Sequence, residues 1–305
     1  MKTALIPFLA SVAFTATADA AQLPVFPPSG TSDTFFGTRV DDPYRALENE
    51  KDGAVASWMK AHAEHARKTL DSLPGRDALV KRMTELDSAA AARIGAVDRQ
   101  PGATFFTRRG ATENVFKLYV RAGNAAERLL VDPEEWQKRT GKPHAINYFR
   151  PSPDSKRVAV GISAGGNELA SLYVIEVATG RQVEGPIDRA RYSQPVWLPD
   201  GKSYFYSRIQ QVAPDAPRGD LFKNRRTYHH VVGQDPASDT LLLGVDGNAR
   251  VPMSATESAA IVHAPGSDFA VASISDGVQR ELTLYAVPLS QATRADAPTG
   301  PATTP

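Results

Sequence analysis

Hydrophobic and polar residues alternate in two different rhythms along this chain, and the change falls near residue 90. Between Ala54 and Leu70 the positions Val55, Trp58, Met59, His62, Ala63, Ala66 and Leu70 follow helical spacing. Leu73-Pro74-Gly75 stops that helix. Arg76 to Leu86 predicts a second amphipathic helix, with Leu79, Val80, Met83 and Leu86 on one face. Upstream, Gln22 to Gly30 carries three prolines and reads as an extended arm. Asp42-Pro43-Tyr44-Arg45 reads as a turn entering a short helix, with Pro43 at its first position. After Ser88 to Ala92 helical spacing disappears, apart from a possible turn at Pro133 to Lys138.

The remainder reads as short strands, and they repeat. Tyr119, Tyr173, Tyr228 and Tyr285 each sit in a β-like run, at spacings of 54, 55 and 57 residues. The turn dipeptides Pro101-Gly102, Pro153-Asp154, Pro199-Asp200 and Pro265-Gly266 precede them by 18, 20, 29 and 20 residues. A further β run follows each turn: Thr104 to Thr107, Arg157 to Val160, Ser203 to Tyr206 and Asp268 to Ala272. A polar insertion, Gln210 to Arg225, accounts for the long third interval. A period of this length matches one blade of a β-propeller, roughly 50 residues in the kelch type. One blade cannot cover both of its faces, so blades stack around an axis. The expected fold is therefore mainly β: a partial propeller of about four blades over residues 91–290, preceded by an arm and α-helical segment over 21–90. The tail, 291–305, is rich in Ala, Thr and Pro and is expected to be disordered.

Composition narrows the chemistry. The 305 residues are 42% hydrophobic, and 35 Lys+Arg nearly cancel 34 Asp+Glu. That balance argues against a strongly basic nucleic-acid binder. Zero Cys excludes disulfides, Cys-ligated zinc, a thiol nucleophile and Cys lipidation. Met1-Lys2-Thr3, the apolar run Ala4 to Phe14, and Ala18-Asp19-Ala20 form the pattern of a secretory signal peptide cleaved after Ala20. The expected location is periplasmic or secreted, and no stretch is long enough to be read as a membrane span.

Few motifs point to chemistry. Gly161-Ile162-Ser163-Ala164-Gly165 fits G-x-S-x-G, but a nucleophile elbow needs a strand before it and a helix after it. Here Gly165-Gly166-Asn167-Glu168 and a second strand follow, so a hairpin is expected and Ser163 is not read as a nucleophile. His229, His230 and His263 fall on strands that the repeat already explains. His62 and His65 lack a metal motif, and neither a metal nor a cofactor is expected. Arg225-Arg226 and the arginines Arg189 and Arg191 near Tyr192 are candidates for an anionic or peptide-binding surface, with a solvated face as the default.

Three segments resemble the prolyl oligopeptidase family of serine peptidases. They are Asp42 to Glu48 followed by Val55-Ala56-Ser57-Trp58; Arg191 to Lys202; and Tyr228 to Gly233 followed by Ser238-Asp239. The resemblance runs from about Val25 to Leu289. It departs from the family pattern at Ala46, where the family commonly has Trp, and at His62-Ala63, near which the family has a Gln-Asn pair. It implies a seven-bladed propeller over a C-terminal α/β-hydrolase domain that carries the Ser, Asp and His of the triad. The sequence ends before that domain, so the hydrolase domain is expected to be absent and no catalytic residue transfers. One substrate-side position matches: Tyr192 stands where the family places an aromatic residue near the peptide's P3 side chain. A blade-packing tyrosine is the equal alternative.

The resemblance implies the propeller portion of an exported prolyl-oligopeptidase-like endopeptidase. Its partners would be short proline-containing peptides and the missing hydrolase domain, and this chain alone would be inactive. The alternatives are a non-catalytic exported propeller that binds peptides or proteins, and a decayed or split gene product.

Overall fold

The computed structural model of the chain describes residues 25–297 and 300–301. The signal peptide expected over residues 1–20 lies outside the described residues. The chain divides into two compact units between Leu86 and Asp87.

The first unit begins with a hairpin of β1 (Ser32–Phe35) and β2 (Thr38–Asp41). Phe36 and Gly37 turn it, both at positive φ, which matches the twist of a two-residue hairpin. Arg45, on a 3-10 turn over Arg45–Glu48, donates to the Asp42 carboxylate at 2.5 Å and also pairs with Asp33 of β1. The Asp and Arg of the Asp-Pro-Tyr-Arg segment thus tie the hairpin to the 3-10 turn. Pro43 lies ahead of this turn rather than at its first residue, because Tyr44 occupies the capping position. Helix α1 (Gly53–Asp71) is capped by Asp52, which accepts from the Ala54 amide at 2.7 Å. Helix α2 (Arg76–Ser88) comes next. Both helices form where their periodicity places them, yet α1 buries only Val55 and α2 buries no residue. Leu79, Val80, Met83 and Leu86, the apolar face of α2, are all exposed.

The second unit is four antiparallel sheets of four strands each, in simple sequential order. The first blade is β3 (Ala92–Gln100), β4 (Ala103–Gly110), β5 (Lys117–Ala122) and β6 (Arg128–Val131). A short helix, α3 (Pro133–Thr140), leads to the second: β7 (His144–Pro151), β8 (Arg157–Ala164), β9 (Ser171–Glu176) and β10 (Gln182–Ile187). The third is β11 (Val196–Trp197), β12 (Ser203–Arg208), β13 (Arg226–Val231) and β14 (Thr240–Leu243). The fourth is β15 (Glu257–His263), β16 (Phe269–Asp276), β17 (Thr283–Pro288) and β18 (Gly300–Pro301). First strands of successive blades approach one another, β3 with β7, β7 with β11 and β11 with β15.

Both repeat markers have a structural meaning. Each turn dipeptide joins a blade's first strand to its second, and each tyrosine sits on the third strand. Gly102 and Gly266 turn the chain by adopting φ near +80°. Asp154 and Asp200 do it with carboxylates that accept backbone amides two residues on, from Lys156 at 3.1 Å and Lys202 at 2.8 Å. The polar insertion is the long connection between β12 and β13.

The core is three separate layers, each shared by two blades. Phe105, Leu118 and Val131 of the first blade meet Phe149, Val158 and Val160 of the second. Ala159, Leu172 and Val174 of the second meet Trp197, Tyr204 and Tyr206 of the third. Phe205, Leu242 and Leu243 of the third meet Ile261, Ala272 and Ile274 of the fourth. The two-residue period of a strand sends alternate side chains into different layers. Val158 and Val160 face one neighbour while Ala159 faces the other.

Within the expected tail, residues 291–297 and 300–301 are described, and they take part in the fold. Ala292 and Ala297 are buried in the last core layer, and Gly300 and Pro301 pair with Ala286 and Tyr285 as the blade's fourth strand. Composition does not single out these residues because small side chains fit a tight layer as readily as they populate disordered tails.

Gly161 of the G-x-S-x-G motif is required by packing. A Cβ there would lie 2.3 Å from the Tyr148 ring, whose hydroxyl donates to the Ala190 carbonyl at 2.8 Å. Gly161→Ala is expected to cost about 1–3 kcal/mol or more, as overpacking does. Thermal unfolding should show a midpoint lowered by several degrees; an unchanged midpoint would contradict this packing.

Candidate functional site

Ser163 lies near the end of strand β8 and is buried, with its hydroxyl donating to the Asn167 carbonyl at 2.6 Å. Gly165 and Gly166, both at positive φ, turn the chain toward β9. The elbow geometry is absent and the serine serves a hairpin.

The histidines divide by environment. The His263 ring nitrogen Nε2 lies 3.0 Å from the Ser267 carbonyl within one turn. His229 packs beside Phe205, and burial pulls its pKa below the ordinary value. His230 is wholly buried, with Nδ1 2.7 Å from Asp239 and Nε2 3.3 Å from Glu184. Glu184 belongs to β10 of the second blade, so this imidazole joins two blades. Tyr206 donates to the other Asp239 oxygen at 2.6 Å, and the Gly233 amide donates to Glu184 at 2.5 Å. No Ser, Thr or Cys hydroxyl or thiol is among these hydrogen-bond partners, so the cluster is a staple rather than a triad. Among the described residues no group of three or more His, Asp or Glu side chains is arranged so that it could hold a metal ion, and no helix is long and apolar enough to cross a membrane.

Tyr192 lies on the connection from β10 to β11. It is 50% exposed, in contrast to the buried Tyr204 and Tyr206 of the adjoining blade. Arg189, Tyr192 and Gln194 all hold left-handed backbone conformations, at φ of 56°, 52° and 46°. Non-glycine residues adopt that region at a cost that surrounding contacts must offset. Here Ser193, between two of them, is buried and its hydroxyl accepts the Ser207 amide at 2.9 Å. The segment is thus pinned to β12 while Tyr192 projects to the rim of a cavity of about 440 Å³ between the third and fourth blades. Arg191 stacks on the Tyr192 ring at 4.8 Å.

The arginines singled out in the sequence do not share one fate. Arg189 pairs with Asp188 at 3.0 Å, Arg226 with Asp246 at 2.9 Å, and Arg191 with Glu168. Those three form the solvated, compensated surface expected by default. Arg225 lines the cavity with Tyr192, and so does Arg150, which periodicity could not single out.

Stacked four-stranded blades, in sequential order and sharing apolar layers, define part of a β-propeller. The model for the prolyl oligopeptidase N-terminal β-propeller domain matches residues 24–293. The chain belongs to the prolyl oligopeptidase family through this domain. It is 24% identical over 216 residues to a prolyl endopeptidase of Elizabethkingia meningoseptica, a match covering 70% of this chain and 30% of that protein. A prolyl oligopeptidase of Omphalotus olearius is 24% identical over 226 residues, covering 67% and 30%. One of the solved prolyl endopeptidase structures superposes with a TM-score of 0.77 at 27% identity, covering 90% of this chain and 39% of the other. Prolyl oligopeptidase B of Galerina marginata, bound to a 25mer macrocyclization substrate, shares the fold at a TM-score of 0.73 and 17% identity, with 92% and 41% covered. The chain spans about 30% of the length of the curated relatives it matches.

The staple gives a pH signature. Burial alone lowers the His230 pKa, but hydrogen bonds and charge from Asp239 and Glu184 outweigh it and raise the pKa above the ordinary value. Its contribution to stability is therefore full below the unfolded pKa of about 6.5 and is lost as pH rises through the folded value. His230→Gln is expected to lose about 1–3 kcal/mol near pH 6, and distinctly less near pH 9. Denaturant titrations at both pH values check this; equal losses would rule out an imidazolium in the staple.

Proposed function

We propose that this chain is the propeller portion of an exported prolyl-oligopeptidase-like serine endopeptidase acting on short proline-containing peptides. The observation that supports the reading is Tyr192, held half-exposed on a constrained segment at the cavity rim, in a sequence segment that resembles the one where the family places an aromatic residue near the P3 side chain. The propeller contributes peptide contact and size selection. Acyl transfer by a serine, a histidine and an aspartate belongs to a hydrolase domain outside these 305 residues. No residue of this chain is assigned to the bond-breaking step. Export rests on the N-terminal pattern of residues 1–20.

The exposed apolar face of α2 favours this reading over a self-sufficient binding module. Leu79, Val80, Met83 and Leu86 form a stripe that ordinary surfaces avoid. We assign its cover to the hydrolase domain. The isolated chain should associate through the same face. In sedimentation velocity, Leu79→Glu with Met83→Glu should shift it toward monomer; an unaltered distribution would count against that cover.

Peptide contact is testable directly. A short fluorescent peptide of the Gly-Pro type should bind the chain, and Tyr192→Ala should weaken it about five- to tenfold, the scale of one lost aromatic contact. The chain should leave the peptide uncleaved, with or without Ser163→Ala. Equal affinity of the two proteins would remove Tyr192 from the contact, and hydrolysis sensitive to Ser163 would overturn the division of labour.

A further inference from the structure

Arg225 and Arg150 face one cavity, and no acidic side chain lines it. Arg225 is half-buried, and its one side-chain hydrogen bond is a long contact of 3.5 Å to the Arg191 carbonyl. Arg150 donates to the Phe149 carbonyl at 2.9 Å and to the Gln194 side-chain oxygen, both neutral acceptors. Neither guanidinium has an ion-pair partner among the described residues, whereas Arg189, Arg191, Arg208 and Arg226 around them all do. Ser258 and Ser275, on neighbouring strands of the fourth blade, line the opposite wall with hydroxyls 3.2 Å apart.

A cationic group withdrawn from water is stabilised by a counter-charge, and this cavity holds none. Burial, and then the charge of Arg191, pull the Arg225 pKa down, the direction an anion would reverse. Guanidinium forks match carboxylates in two-point geometry, and serine hydroxyls complete the remaining acceptor sites. The ring of Tyr192 at the rim adds an apolar wall for the chain leading to that carboxylate.

We propose that the cavity between the third and fourth blades is a carboxylate-binding subsite, with Arg225 as principal ligand and Arg150 as the second, for an acidic group of a bound peptide. The occupant rests on the peptide-binding reading above, while the anion site stands on the cavity alone. The subsite makes the propeller selective for peptides carrying an acidic group on the side that reaches Tyr192.

The test pairs two peptides that differ in one charge. N-succinyl-Ala-Ala-Pro-amide and N-acetyl-Ala-Ala-Pro-amide are titrated into the chain by calorimetry. The succinyl peptide should bind about tenfold more tightly, the scale of charge-assisted hydrogen bonds, and the preference should shrink as salt rises. Arg225→Gln should abolish the preference, so that the two peptides bind alike, Arg150→Gln should reduce it, and Arg225→Lys should keep part of it. Circular dichroism and thermal midpoints verify that each variant is folded. Separately, free glutarate should shift the Arg225 Nε–H resonance in the unsubstituted chain. Equal affinities for the two peptides would overturn the subsite and leave peptide binding intact. A glutarate shift without binding of either peptide would uphold the anion site and sink its peptide occupant. Absence of both responses would overturn the proposal.

Discussion

A four-stranded sheet has two faces and cannot cover either one by itself, and every other feature of the second unit depends on this. Strand periodicity turns the problem into its own solution, because alternate residues point to opposite neighbours. On β12, Tyr204 and Tyr206 enter the layer shared with the second blade, while Phe205 enters the layer shared with the fourth. A single strand therefore stabilises two interfaces, and loss of one blade would strip a face from the next. Small residues make room: Gly161 leaves space for the ring of Tyr148 on the neighbouring strand of the same blade, and Ala159 is buried in the layer shared with the third blade.

Between the blades, apolar layers alone would leave relative rotation weakly specified. The His230 staple supplies direction. Its two nitrogens are claimed by carboxylates from different blades, so the imidazole fixes where β13 lies against β10. The Trp197 ring nitrogen acts in the same sense, donating across the blade boundary to the Arg150 carbonyl at 2.9 Å. Buried polar groups placed this way cost desolvation and return geometry. The Arg150 backbone is thereby held where its side chain lines the cavity.

The second and third strands of each blade were legible because their markers are local: a turn dipeptide needs its own glycine or aspartate, and a third-strand tyrosine packs against its own sheet. First and fourth strands were not. β11 is two residues long and β18 is Gly300–Pro301, so neither carries a pattern of its own, and each is a strand only because a partner is present. The hairpin β1–β2 is not legible either, because its four-residue strands are largely polar and its turn is Phe-Gly. At the cavity, Tyr192 stands out through its neighbours in sequence as a candidate. That it lines one cavity with Arg150 and Arg225 cannot be read there, since those three residues come from three separate stretches of chain, dozens of positions apart, and meet only when blades stack.

The charges sharpen what folding adds to a sequence reading. Arg189, Arg191, Arg225 and Arg226 look equivalent as a set of basic residues near Tyr192 and Tyr228. Folding neutralises three of them locally, Arg189 by its neighbour in sequence, Arg191 by Glu168 across a loop, and Arg226 by Asp246 across a strand connection. Only Arg225 is carried into a cavity whose walls offer hydroxyls and a second guanidinium in place of a carboxylate. A half-buried guanidinium without a counter-charge costs desolvation, and the nearby charge of Arg191 adds to that cost. Its cost is offset when an anion enters, so the imbalance is better explained by a ligand than by the architecture, which the three apolar layers already hold together.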